Sequence, residues 1–279
     1  MLVAQNFQQN KEKIKGIDIH YEYYRNADAV DRPVLTLLHG FLSSSFSYRR
    51  LIPLLTKAYT VVAIDLPPFG KSEKSNRFVH SYQNYAEVVV ELLEKLSIEQ
   101  TVMIGHSMGG QVAMRASALN ENLVSKNILL CSSGYLEKAK QSLVYTSYLP
   151  FFSIYLKRWL YRKGVKGNLI NCVYDPKLID EEMMDGYIQP FFNESIFRSL
   201  VRMIRDREGD LSSDELKQIH TPSLLIWGEN DRVVPLKVGK RLSSDLPNAE
   251  LIVYEKTGHL LPEERPRLIM KDIERFIQM

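Results

Sequence analysis

The stretch "VMIGHSMGGQVAM", residues 102–114, places Ser107 among Gly105, Gly109 and Gly110, where an apolar run gives way to a helical pattern. Glycine is costly inside regular elements, so three of them around one hydroxyl call for a reason. A sharp turn between a strand (Thr101–His106) and a helix (Met108–Leu119) supplies one. It holds a nucleophile in a strained backbone, and its small neighbours let strand and helix approach. The helix N-terminus beneath Ser107 also favours negative charge on a developing oxyanion. A glycine turn without chemistry is the bland alternative. The strand-before, helix-after context argues against it.

A serine hydroxyl attacks well only when a base takes its proton and an acid orients the base. Six histidines are available. His20 belongs to an alternating N-terminal strand and is expected at the surface. His80 and His220 fall in polar loops. His106 is the variable residue of the turn itself and points away from its neighbour's hydroxyl. His39 closes the strand "PVLTLL" and shapes the loop after it. His259 follows the last strand, "ELIVYEKTGH", and is the best base. The acid should leave a strand between the serine and the histidine, and "LLIWGENDRVVP" offers Glu229 and Asp231. Asp231 is preferred, because Asn230 and Asp231 suit a turn that projects a short carboxylate. Glu229 reads as a loop charge.

The elements that must position these groups alternate along the chain. Short β-branched or aromatic runs ("IDIHYEYY", "PVLTLLHG", "YTVVAIDL", "TVMIGH", "KNILLCSS", "SLLIWG", "AELIVYE") are separated by amphipathic stretches such as "YQNYAEVVVELLEKL". Nearly continuous apolar runs suit parallel strands covered on both faces, joined by right-handed crossovers. The expected fold is α/β, with a mostly parallel central sheet and helices on both faces. The alternation breaks once, between Gly134 and Ser213, where only helical patterns rich in aromatics occur. That block is too long for a crossover and reads as an inserted helical cap, residues 134–213. The core is then 1–133 and 214–279. Ligands of open α/β sheets sit at the carboxyl ends of the strands, so this insertion would roof the site. Its aromatics and methionines (Phe151, Phe152, Tyr155, Trp159, Met183, Met184, with Phe191 and Phe192) are expected to line an apolar pocket over Ser107.

The order Ser107, Asp231, His259 and five ordered segments, "LLHGF", "DLPPFGKS", "GHSMGG", "WGENDRVVP" and "GHLLPEERP", together resemble the α/β-hydrolase superfamily. The resemblance covers most of the chain and lies with the cap-bearing esterases, haloperoxidases and C–C hydrolases. It implies an oxyanion hole from the backbone N–H groups of Phe41 and Met108. Pro68 departs from the family pattern, standing where relatives usually carry glycine. Asp65 is expected to tie down that loop rather than take part in catalysis.

Composition bounds the rest. The chain has 279 residues, 45% hydrophobic and 25% charged, as in an ordinary globular protein. A net charge of +3 is too small and dispersed to argue for nucleic acid. The N-terminal stretch lacks the apolar region of a secretory signal, and no run approaches the ~20 apolar residues of a membrane span. The two cysteines, Cys131 and Cys172, read as reduced thiols of a cytoplasmic protein. The "NES" at Asn193 is a glycosylation sequon without consequence in that setting. "FGKS" imitates the end of a phosphate-binding loop, but Asp65 stands where its leading glycine should be. No metal or nucleotide motif occurs, so no cofactor or metal is expected. "FFSIYLKRWLYRKGVKG" admits two readings: a cap helix with solvated charges, or a lid that makes weak peripheral contact with anionic membrane. The leading function is a cofactor-free serine hydrolase of small apolar carboxylic esters. The rivals are C–C bond hydrolysis or perhydrolysis on the same fold, and a triad-bearing ligand receptor or regulator. The serines of "HGFLSSSFS" disfavour C–C hydrolysis, whose enzymes carry glycines there.

Overall fold

The buried apolar runs become the middle of one sheet. A computed structural model describes residues 6–29 and 31–279. Five parallel strands, β3 (Val34–Leu38), β4 (Val61–Ile64), β5 (Thr101–His106), β6 (Val124–Leu130) and β7 (Ser223–Gly228), are buried almost throughout. Beside them lie β1 (Asn6–Ile14), β2 (Ile17–Arg25) and the parallel edge strand β8 (Ala249–Tyr254). The order is β1-β2-β4-β3-β5-β6-β7-β8, with β1 and β2 antiparallel to their neighbours. Helices α1 (Tyr82–Lys95) and α2 (Met108–Leu119) pack on the sheet through Val88, Val89, Leu92, Val112 and Ala116, all fully buried.

Seven of these strands coincide with runs legible in the sequence; β1 does not. Its "NFQQNKEKI" is polar because most of its side chains face solvent at the sheet edge. Pairing is instead directed by the turn. Lys15 and Gly16 both adopt positive φ, 49° and 81°, the backbone that joins antiparallel strands in a two-residue hairpin. Ile14 and Ile17 then face each other as buried partners.

Between β6 and β7 the chain forms no strand. It builds α3 (Gln141–Thr146), α4 (Phe152–Lys163), α5 (Val165–Cys172), α6 (Glu181–Ile188) and α7 (Ser195–Asp206). Asp180 caps α6 by accepting the Met183 N–H at 2.7 Å, which satisfies one orphan donor of the first turn. Arg49 of the sheet-bearing part bridges Asp180, Glu182 and the buried Glu263. Beneath α5 and α6, Leu169, Val173, Met183, Tyr187 and Leu260 form a small apolar core of their own. The helical layer is therefore packed down on one side.

Candidate active site

Ser107 sits between β5 and α2 with φ 51° and ψ −117°, a strained backbone for a residue with a Cβ. The glycines around it are explained by contact. A Cβ on Gly105 would lie 2.4 Å from the Gly109 carbonyl oxygen, and one on Gly109 would lie 2.1 Å from that of Leu38. Either substitution would push α2 off the strands. The turn is held through its backbone: Ser107 N–H donates to Leu130 O, and its carbonyl accepts from Gly110 and Ser133, each at 3.0 Å.

Asp231 follows β7 and His259 follows β8, and the two meet. His259 Nδ1 and Asp231 Oδ2 are 2.7 Å apart. The other carboxylate oxygen, Oδ1, accepts the N–H groups of Val233 and Val234 at 2.8 and 2.9 Å. Burial alone would raise the Asp231 pKa, yet the hydrogen bond and charge of His259 and the Val234 amide hold it below the usual carboxylate value. Asp231 is thus a buried, ionised acceptor. Ser107 lines the cavity described below, and among the described residues its hydroxyl makes no hydrogen bond, to His259 or to any other group. Phe41 and Met108 border the same cavity, and neither N–H donates to a protein acceptor among the described residues. Glu229 is exposed.

Four partners of this constellation carry no sequence signal. His106 lies buried with its ring centroid 4.8 Å from that of His259, and its Nε2–H donates to the His259 carbonyl at 2.9 Å. Burial and the neighbouring His259 push its pKa down to about 3, so it works as a neutral prop. The His259 loop is also tied to the helical layer, because His259 N–H donates to Cys172 O at 2.6 Å. Glu264 accepts both Gly258 N–H at 3.0 Å and Tyr174 N–H at 2.9 Å. Cys131, at the end of β6, completes the set. Its sulfur, an Asp231 oxygen and a His259 nitrogen lie within 4.8 Å of one another, a grouping that could ligate a metal ion. Burial pushes the Cys131 thiol well up, and the thiol donates to Gly258 O at 3.9 Å while its sulfur accepts the Gly228 N–H at 3.5 Å.

Three of the remaining histidines sit in structural hydrogen bonds, and His220 is exposed. His39 Nδ1–H donates to Gly40 O at 2.7 Å and its Nε2 accepts Leu66 N–H at 2.9 Å, which fixes the loop leading to Phe41. His20, expected at the surface, is buried against Asp65 at 2.9 Å. The antiparallel β2–β4 pairing puts it under the loop after β4 instead of in solvent. Asp65 also accepts Ser45 and Lys71 N–H groups and anchors that loop. His80, too, is buried, on the Tyr85 hydroxyl at 2.8 Å, and burial pushes its pKa down to about 4.

His80 and His106 make stability depend on pH. Their folded pKa values lie below that of an unfolded imidazole, ~6.5, so the unfolded chain binds more protons as pH falls below that value. Stability is full above about pH 6.5 and is expected to fall towards pH 4 by up to ~1.4 kcal/mol per pH unit for each. Denaturant titrations at pH 7, 6 and 5 check this, and a flat profile would contradict it.

A cavity of about 630 Å³ opens at Ser107. Its inner walls are Leu156 and Leu160 of α4, Leu200, Met203 and Ile204 of α7, and Val234 and Val238 beyond β7. Of the eight cap residues expected there, only Trp159 lines it. Phe151, Tyr155 and Phe192 face outward, exposed by 75, 65 and 66%. Met183 packs in the small core beneath α6, with Met184 against it, and Phe191 packs against the main core. Leucines of α4 and α7 take the inward positions, so the aromatic spacing marked the outer face.

The chain matches the Alpha/beta hydrolase family over residues 37–271. It is 51% identical over 265 residues to "Uncharacterized hydrolase YugF" of Bacillus subtilis (strain 168), covering 95% of this chain and 96% of that protein. It is 30% identical over 277 residues to a "2-hydroxy-6-oxononadienedioate/2-hydroxy-6-oxononatrienedioate hydrolase" of Paraburkholderia phymatum, covering 95% and 90%. Among solved structures it superposes on "Epoxide hydrolase CorEH without ligand" with a TM-score of 0.81 at 22% identity, over 98% of this chain and 99% of that one. Motif order, sheet topology and the match over most of the chain agree: this protein is a member of the α/β-hydrolase family.

Proposed function

We propose that the protein is a serine hydrolase of neutral, apolar carboxylic esters. Asp231 orients His259 through Nδ1–H and stabilises the imidazolium that forms. His259 Nε2 takes the Ser107 proton as Oγ attacks the ester carbonyl, and the N–H groups of Phe41 and Met108 receive the oxyanion. His259 then protonates the leaving alcohol, and water, activated by the same imidazole, releases the acid. The observation that carries the reading is the apolar cavity on Ser107 beside a paired, buried Asp231 and His259.

The C–C hydrolase named among the relatives bears the name of a dicarboxylate substrate, which favours the rival chemistry. Two carboxylates need cations within the site. Here the cations that reach the cavity, Lys138, Lys140 and Arg207, are exposed at its rim. The walls beside them are leucine, methionine and isoleucine, which suit a hydrocarbon chain.

A series of p-nitrophenyl esters tests this. Each buried methylene contributes ~0.8 kcal/mol, so butyrate should exceed acetate roughly tenfold in kcat/KM, with a decline once the chain outgrows the cavity. Turnover confined to dienone diacids, with none of any ester, would reject the ester reading in favour of C–C hydrolysis. Tight ligand binding without turnover of either class would point to a receptor.

A further inference from the structure

The outer face of the helical layer is unlike the rest of the surface. The end of α3, the turn after it and the start of α4 expose Tyr145, Tyr148, Leu149, Phe151 and Tyr155, each by 60% or more. Large apolar side chains clustered this way mark an interaction site. Beside them opens a second cavity of about 320 Å³, lined by Ser147, Ser153, Arg198, Arg202 and Arg205 together with Leu149 and Phe151. Three guanidiniums line it, and Arg202 pairs at 2.9 Å with Asp206, a carboxylate that also accepts the His80 N–H. Arg205 donates to Ser147 Oγ at 2.9 Å and stacks 3.9 Å over the Tyr148 ring, so it joins α7 to the exposed turn. Arg198 is exposed and donates only to Ser195 Oγ among the described residues.

The cations on α4 and at the start of α5 extend this face. Lys157 pairs with Glu194, whereas Arg158, Arg162 and Lys166 are exposed, with no carboxylate partner among the described residues. The Lys163 side chain lies outside the described residues. Apolar groups that stand out from a surface, ringed by guanidiniums, match the boundary of a lipid layer. The rings enter the acyl region while the cations meet phosphates.

We propose that this face docks on an anionic phospholipid surface, with Leu149 and Phe151 inserted and a lipid phosphate taken in the cleft of Arg198, Arg202 and Arg205. The same helices then separate two environments. Leu200, Met203 and Ile204 of α7 line the catalytic cavity, and Arg198, Arg202 and Arg205 line the lipid cleft. Trp159 lies on the rim, half exposed and also lining the catalytic cavity. Docking would put the mouth of that cavity beside the lipid phase. Binding itself needs no turnover and stands apart from the ester reading.

Flotation of the full chain with vesicles tests the proposal. Wild type should float with equimolar phosphatidylglycerol and phosphatidylcholine, and far less with phosphatidylcholine alone. Each cation removed near an anionic surface costs roughly fivefold in partitioning. The triple variant Arg158→Gln, Arg162→Gln, Arg198→Gln should therefore lose on the order of 100-fold. Leu149→Ser with Phe151→Ser should weaken binding at least tenfold by removing the inserted groups. None of these residues lines the catalytic cavity, so unchanged melting and unchanged hydrolysis of a soluble ester show that the variants fold. Failure of wild type to float, or equal flotation of the triple variant, overturns the proposal. So does lipid-free dimerisation abolished by Phe151→Ser, which would make the face a contact between two copies of the chain.

Discussion

Replacing Ser107 by alanine should abolish ester turnover and labelling by a fluorophosphonate while the fold stays intact. Loss of the nucleophile costs on the order of 10⁶-fold in kcat where serine and histidine act as a unit. The expected stability is unchanged for a reason visible in the turn. Ser107 is held by its backbone N–H and carbonyl, and its hydroxyl bonds to no group among the described residues. Alanine tolerates the same strained φ no better and no worse, so melting should shift by no more than about 2 °C. Labelling that persists in the variant would show that another residue is the nucleophile.

The second large effect is expected at the acid. Asp231→Asn should lower kcat/KM by roughly 10⁴-fold, as loss of an orienting carboxylate does in other triads. The geometry dictates how. The Val233 and Val234 N–H groups both donate to Oδ1, so the asparagine carbonyl must stay on that side. Its NH₂ would then face His259 Nδ1 and force the proton onto Nε2, where it blocks acceptance of the serine proton. Glu229→Gln, at an exposed position, should change turnover less than twofold. Equal losses at the two positions, or the reverse order, would reassign the acid. Steady-state kinetics on one neutral ester decides it.

The central sheet and the candidate triad could be read from sequence because both rest on local rules. Parallel strands buried on both faces are written as continuous apolar runs, and a nucleophile at a strand-to-helix turn needs glycines at fixed offsets. The paired Asp231 and His259 were legible for a related reason, since each follows a strand at the carboxyl edge of the sheet. What escaped depends on contacts distant in the chain. The burial of His20 is decided by β2 pairing antiparallel with β4, and a period of two does not say which face a neighbouring loop will cover. The roles of His106, Cys131 and Glu264 beside the His259 loop come from the carboxyl ends of β5 and β6 lying next to the loop after β8. In α4 the helical period was correct, but aromatics and leucines share it. Only packing against α7 decides that Leu156 and Leu160 turn inward while Tyr155 turns out.

The carbonyl of Cys172 has a consequence for how such enzymes can be recombined. It accepts the N–H of His259, and a Cβ on Gly258 would lie 2.6 Å from it. The stretch 172–174 is therefore both the foot of α5 and the backrest of the imidazole. A chimera that exchanges the whole helical insertion for that of another hydrolase would replace this backrest along with the roof. Its histidine would be left without its main-chain anchor, however well the new helices folded. Exchanging only α3, α4 and α7 while retaining 172–174 would alter what the cavity accepts and leave the base where it is. The stretch between β6 and β7 thus divides in two: one part exchangeable, the other inherited with His259.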